Sequence, residues 1–312
     1  MRTFFFADFQ SNSSLSSGVV QHYTDYHPIR SSRNSLLIID PQKDFHPGGS
    51  LAIASAGKDA AKIAKLIDQH SMELDDIVVS LDTHQKMHIA HPLFWKDPKS
   101  GKHPDPMTHI SLKSLEAGEW TTTDPKWAEW GKSYVATLET NERFQLIVWP
   151  EHCLIGTNGH SVVDDVNASL LGWAEKRARA VEYVLKGHNM LTEHYSAFKA
   201  DVVRADDART DYNMTLLARL LKADRVIVCG QALSHCVAFS TRDLLSRWPK
   251  GQERRIVLLT DCASPVPGFE DAAKAFVQEM KAAGVTVTTS TKLAWAETGG
   301  DISPRKRSKK SS

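Results

Sequence analysis

The chain has 312 residues, of which 41% are hydrophobic and 24% charged, the balance of an ordinary globular protein with room for one large core. A formal charge of +1 gives no global pull toward nucleic acid, and no apolar run reaches the roughly 20 residues that span a bilayer, so neither partner is expected. Four cysteines (153, 229, 236 and 262) are too few for a disulfide framework in so long a chain, which points to a reducing, cytoplasmic setting.

Residues 1–34, rich in Ser, Asn and His from position 10 onward, lack periodicity and predict a flexible segment. A folded domain is expected over 35–295. Within it, continuous apolar runs at Ser35–Ile39, Ile77–Leu81, Leu146–Trp149, Val181–Leu185, Val226–Cys229 and Ile256–Leu259 predict strands covered on both faces. Amphipathic periods predict helices over Lys58–Gln69, Val162–Arg179, Tyr212–Leu221, Val237–Arg247 and Phe269–Ala283. The last stops at Gly284, before Val285–Thr288 resumes strand character. Such alternation predicts a three-layer αβα fold around a central, mainly parallel sheet of about six strands.

Residues 93–144 break the rhythm. Pro98, Pro104, Pro106 and Pro125, with Trp95, Trp120, Trp127 and Trp130, mark a long insertion with short helices, too aromatic for disorder. It either caps the sheet edge or contributes to a pocket or a subunit contact, so a homo-oligomer is compatible with the sequence. From 296 to 312 the chain is basic and nearly free of apolar residues, which predicts a disordered tail; a nuclear-entry signal is the alternative reading.

In a parallel sheet, whatever follows each strand projects at one edge, where ligands bind. Asp40-Pro-Gln-Lys-Asp-Phe45 follows the first run and Asp82-Thr-His84 the second, with His88 and His91 close behind. The third leads to Trp149-Pro-Glu-His152, the fourth to Lys186-Gly187 and the fifth to Ser234-His235-Cys236. Each has a plain structural reading taken singly: a helix cap, a hydrogen-bonded Asp–His pair, a buried cysteine. Together they make coherent chemistry. An ordinary thiol, with a pKa of about 8.5, is only a few per cent thiolate at neutral pH. Asp40 could take its proton, while Lys186 would stabilise the thiolate and keep Asp40 ionised. Backbone N–H groups in the turn before Cys236 could hold an oxyanion, and the helix start beneath it favours a thiolate. Asp82, His84 and His152 suit Zn²⁺, Fe²⁺ or Mn²⁺ with a coordination position left open.

The order and context of these motifs resemble the nicotinamidase branch of the isochorismatase-like cysteine hydrolases, over roughly 35–290 outside the insertion. The resemblance implies hydrolysis of a small C–N amide, nicotinamide first, in NAD salvage. Another amide, a ureido or a carbamoyl compound is the alternative on the same fold; a catalytically silent scaffold is the more distant one. It implies a catalytic triad of Asp40, Lys186 and Cys236, with oxyanion amides at Ala232 and Cys236 after a cis peptide at Gln231–Ala232. It also implies one divalent transition metal, zinc first, on Asp82, His84 and His152, with His91 preferred to His88 as a further histidine. In that family the metal also holds the pyridine nitrogen. Phe45 and Trp149 fall on the family's pocket aromatics. Departures gather around the pocket. Ser234 stands where many members have an acid, the insertion is long, and Glu193 is either a helix-start acid or a carboxylate that supports the metal site.

Overall fold

The computed structural model describes residues 32–140 and 144–295; most of the expected N-terminal segment and all of the basic tail lie outside the described residues. The first half of the chain forms β1 (Asn34–Ile39), α1 (Ala56–Gln69) and β2 (Leu74–Asp82). The insertion follows, with β3 (Trp95–Lys96), β4 (His109–Ile110), α2 (Leu112–Glu116), β5 (Thr121–Thr122), α3 (Ala128–Thr140) and β6 (Leu146–Ile147). The second half runs α4 (Asp164–Arg177), β7 (Glu182–Lys186), α5 (Met214–Leu220), β8 (Arg225–Gly230), α6 (Cys236–Ser246), β9 (Ile256–Leu259), α7 (Glu270–Ala282) and β10 (Thr286–Thr288).

Six strands make one parallel sheet in the order β10-β9-β8-β1-β2-β7. Its two faces are sorted by the period of two along each strand. Leu37, Ile39, Val226 and Val228 face one apolar layer with α5, α6 and α7; Leu36, Ile38, Ile227 and Cys229 face the other with α1 and α4. Fully burying side chains of this size stabilises by about 1.5–3 kcal/mol each, so the two layers fix the sandwich. Gly284 ends α7 with φ +87°, the left-handed turn its position predicts. Among the described residues no helix is long and apolar enough to cross a membrane.

Two expectations need correction. Leu146–Trp149 is not a central strand: only Leu146–Ile147 is extended, and it pairs antiparallel with β4 in a separate ribbon. The insertion returns beside it, and the Trp149 N–H donates to the Ala90 carbonyl at 2.8 Å, so local pairing wins over the sheet. Val181–Leu185 is not covered on both faces either. As β7 it closes the sheet edge, leaving Tyr183 42% and Leu185 50% exposed. The insertion itself shares a third apolar cluster with the body: Trp95, Ile110, Tyr134 and Val135 pack with Trp149 and Ala232.

Candidate active site

The strand order reverses between β1 and β8, where an open parallel sheet leaves a crevice at its carboxyl edge. Asp40 leaves β1 there and Cys236 opens α6 after β8; Asp82 and Lys186, at the ends of β2 and β7, are direct register partners. Four adjacent strands thus deliver four ionisable groups to one place. Lys186, 1% exposed, is their hub. Its ammonium forms an ion pair with Asp40 Oδ2 at 2.8 Å, donates to Asp82 Oδ1 at 3.1 Å and the His194 carbonyl at 2.9 Å, and lies 3.6 Å from Cys236 Sγ. Ser80 Oγ donates to the other oxygen of Asp40 at 2.6 Å.

Burial pushes the Cys236 thiol well above its usual range, and Lys186 only partly offsets it. At this sulfur burial thus opposes the favourable pull of the helix start and of Lys186. Burial also raises the Asp40 carboxyl, against the pull of Lys186, which improves it as a proton acceptor. The peptide Gln231–Ala232 is cis. Among the described residues no carbonyl pairs with the amides of Ala232 or Cys236, while Gln231, Leu233, His235 and Val237 all have one.

Beside Lys186 stands a cluster able to hold a cation. The ligand atoms of Asp82, His84 and His152 lie within 4.8 Å of one another. His84 Nδ1 is 3.1 Å from the Gly187 carbonyl and His152 Nδ1 2.8 Å from the Pro150 carbonyl. A carbonyl can only accept, so both protons sit on Nδ1 and the neutral rings offer bare Nε2 atoms. Both Nε2 atoms aim at Asp82 Oδ2, at 3.0 and 3.3 Å. Three acceptors facing one another repel unless the imidazoles are protonated or a cation lies among them, and this donor set suits a divalent ion. Without one, burial is outweighed by Asp82 and Glu193, which carry His84 up to about 9.

His84, His88 and His91 form a second cluster of the same size. The His91 ring stands 5.0 Å from that of His84 and 5.4 Å from that of His152, next to both. His88, 4.3 Å from His84, accepts the Ala90 N–H on Nδ1 at 3.2 Å, which places its proton on Nε2 and removes that lone pair. Burial keeps both neutral, His91 at about 2 and His88 well below the ordinary value.

These groups open on a small, narrow pocket. Phe45, Trp149, Ala232 and Cys236 line it. Tyr195, His235 and Glu193 join them, and sequence reasoning gave the first two no role. The Tyr195 hydroxyl accepts from Trp149 Nε1 at 2.8 Å. Burial takes His235 down to about 3, so the ring is neutral; its Nδ1 bonds Ser234 Oγ at 2.8 Å.

The motif Asp40-Pro-Gln-Lys-Asp-Phe45 now divides by task. Gln42 clasps the backbone of Asp82 from both sides, at 2.7 Å each, and Asp44 accepts the Cys153 N–H at 2.6 Å, fixing the loop that carries His152. Residue 84 pairs with that loop directly, through His84 N–H to the Cys153 carbonyl at 3.1 Å. His152 thus arrives by a loop laid on residue 84 and not from a sheet strand. Gly187 has φ +79°, and a Cβ there would sit 2.7 Å from Asp82 Oδ1 and 2.9 Å from His84 Cε1.

No family model matches the chain. Among curated proteins it is 27% identical over 268 residues to the nicotinamidase of Escherichia coli, covering 85% of this chain and 98% of the relative. It is 24% identical over 254 residues to that of Saccharomyces cerevisiae, covering 81% and 98%. The yeast nicotinamidase bound to the inhibitor nicotinaldehyde superposes with a TM-score of 0.57 at 21% identity, over 82% of this chain and 99% of that one. A Pyrococcus horikoshii pyrazinamidase in complex with zinc gives 0.51 at 19% identity, over 82% and 99%. The solved structures share this fold, and the near-complete coverage of the curated relatives supports the nicotinamidase branch of the isochorismatase-like hydrolases and indicates an amidohydrolase acting on C–N bonds.

Proposed function

We propose that the chain hydrolyses nicotinamide to nicotinate and ammonia through a thioester on Cys236. The observation that carries this reading is the Lys186 hub, which brings the thiol and Asp40 together within an aromatic pocket beside a metal-capable cluster. Asp40 takes the thiol proton as sulfur attacks the amide carbon, and the oxyanion is received by the amides of Ala232 and Cys236. The C–N bond then breaks, Asp40 returns the proton to the departing nitrogen, and ammonia leaves. Water, deprotonated by the same carboxylate, cleaves the thioester to release the carboxylic acid and restore the thiol. Lys186 holds Asp40 in place and offsets negative charge at sulfur throughout.

Asp82, His84 and His152 would hold a zinc ion, with His91 next to two of them. When bound, that ion supplies Lewis acidity and a coordination position for the ring nitrogen of a pyridine amide. Phe45 and Trp149 offer flat apolar walls to such a ring, and neutral His235 adds none of the charge that would repel a metal or a cationic ring edge. The test is ammonia release from nicotinamide, pyrazinamide, benzamide and a ureido compound. Turnover of the two ring-nitrogen amides well above benzamide is expected; preference for the ureido compound would overturn the substrate assignment.

A further inference from the structure

Among the described residues the insertion contributes no ionisable group to the pocket, yet its helix α3 grips the segment that does. Trp130 Nε1 donates to the Leu191 carbonyl at 2.7 Å, and the Tyr134 hydroxyl accepts the Glu193 N–H at 3.1 Å. Arg204 lies over the Trp130 ring at 4.2 Å and closes the grip from outside. Tyr134 is fully buried, and burial raises its phenol well above the usual range, so it stays a neutral hydroxyl.

The three residues Glu193, His194 and Tyr195, which begin where α3 holds the Glu193 N–H, each touch a different part of the site. Glu193 is 3% exposed; its Oε1 accepts the His194 N–H at 2.7 Å and lies 3.8 Å from His84 Nε2. Its Oε2 has no hydrogen-bond partner among the described residues, and the side chain lines the pocket. The His194 carbonyl accepts from Lys186, and Tyr195 braces Trp149. A buried carboxylate oxygen without a partner is costly, so something must fix it where a ligand or the cation side of the pocket can use it.

Building on the amidohydrolase reading above, we infer that Tyr134 and Trp130 of the insertion are positioning residues, which set the aim of Glu193 and the Tyr195 wall and thereby the reactivity of bound amide. Neither touches the reacting atoms. The insertion acts on catalysis through these two hydrogen bonds, and displacement of Glu193 by a fraction of an ångström is enough to be read in the rate.

The test pairs kinetics with hydrogen exchange. Tyr134→Phe removes the hydroxyl that accepts the Glu193 N–H and keeps the ring, and kcat/KM for nicotinamide should fall roughly tenfold. Glu193→Gln should fall by a similar factor, and the double variant should be no worse than the poorer single one, because both break one linkage. A purely structural tyrosine would lower Tm but multiply with Glu193→Gln; multiplicative losses, or an unchanged Tyr134→Phe, overturn the inference. Trp130→Phe, which keeps a ring beneath Arg204, repeats the test should Tyr134→Phe not fold. In the unmodified protein the Glu193 amide should exchange as slowly as the amides of α3. Exchange at the rate of an exposed loop overturns the inference whatever the variants do, and it does so separately from the functional reading, which fails only when no amide is turned over.

Discussion

Replacing Asp40 by asparagine isolates the proton-transfer part of the site from its shape. Asparagine fills the same space and can still accept the Ser80 hydroxyl, which approaches the native Oδ1 at 2.6 Å. It cannot take a proton from sulfur, and it removes the nearest anion from Lys186, 2.8 Å away, leaving Asp82 at 3.1 Å as the ammonium's carboxylate partner. General-base catalysis is worth about 10²–10⁴ in rate, or about 3–5 kcal/mol at about 1.36 kcal/mol per tenfold. A loss within that range is expected in kcat/KM. The pH dependence fixes the sign. Burial raises Asp40 above its ordinary 3.8 despite Lys186, and the working form is the ionised one. Activity is therefore full above the folded-state pKa and lost as pH falls through it, so the acid limb stands higher than an exposed aspartate would set. The variant should lose that limb along with the activity. Ammonia release across the acid range, with the rate of Cys236 alkylation by iodoacetamide followed in parallel, measures both. An asparagine variant within threefold of the native rate and with the same acid limb would refute Asp40 as the base.

Cys236→Ala should abolish turnover with little change in Tm, and in the native protein iodoacetamide should label Cys236 before Cys153, Cys229 or Cys262; comparable labelling of all four would remove it as nucleophile. Burial raises all four thiols, and Cys236 alone combines a place in the pocket with a lysine at 3.6 Å. Elemental analysis of chelator-free protein should find about one divalent transition metal per chain, and Asp82→Ala or His152→Ala should lose it, the expected effect of deleting one of three ligands. Gly187→Ala should cost metal binding and most activity, because its Cβ would meet Asp82 and His84 at 2.7 and 2.9 Å; an alanine variant with native metal content would show that the loop yields.

The central strands were legible because a parallel strand buried on both faces must be a continuous apolar run, and Leu36–Ile39 are indeed fully buried. The same signal misplaces Leu146–Trp149, since an apolar run carries no record of which strand it pairs with. The exposure of Tyr183 and Leu185 is hidden for a related reason: that β7 is the edge follows from the order of all six strands, not from its own residues. At the site, the candidate residues were visible as ionisable groups at strand ends. Those that hold them were not. Gln42 and Asp44 stand within the motif that follows β1, but the groups they and Ser80 hold lie about 40 to 110 positions away, so the motif does not show what each one holds. The resting state of Cys236 was also out of reach, because its burial depends on the whole pocket. The insertion read as separable from 93 to 144, yet Tyr134 and Val135 share a core with Trp149 and Ala232. Cutting it out would expose that core, so point variants are the cleaner probe.

The placement of Lys186 links Cys236, which follows β8, with the metal-capable cluster at the end of β2, across the strand between them. Asp82 and Lys186 are register partners on β2 and β7, and Asp40 follows the next strand over, so one ammonium reaches two carboxylates 2.8 and 3.1 Å away. Two buried carboxylates and one buried lysine leave an excess negative charge, which the desolvated interior tolerates poorly. Burial, with Asp82 beside it, raises Asp40 against the pull of Lys186, while His84 and Lys186 hold Asp82 well below the usual carboxylate range despite its burial. Whatever balances Asp82 from the histidine side leaves more of the lysine's field to Asp40 and the sulfur 3.6 Å away. Charge at one half of the site thus sets proton affinity at the other. Filling the cluster formed by Asp82, His84 and His152 should for that reason change how readily Cys236 gives up its proton, even toward a reagent such as iodoacetamide that never touches the cluster.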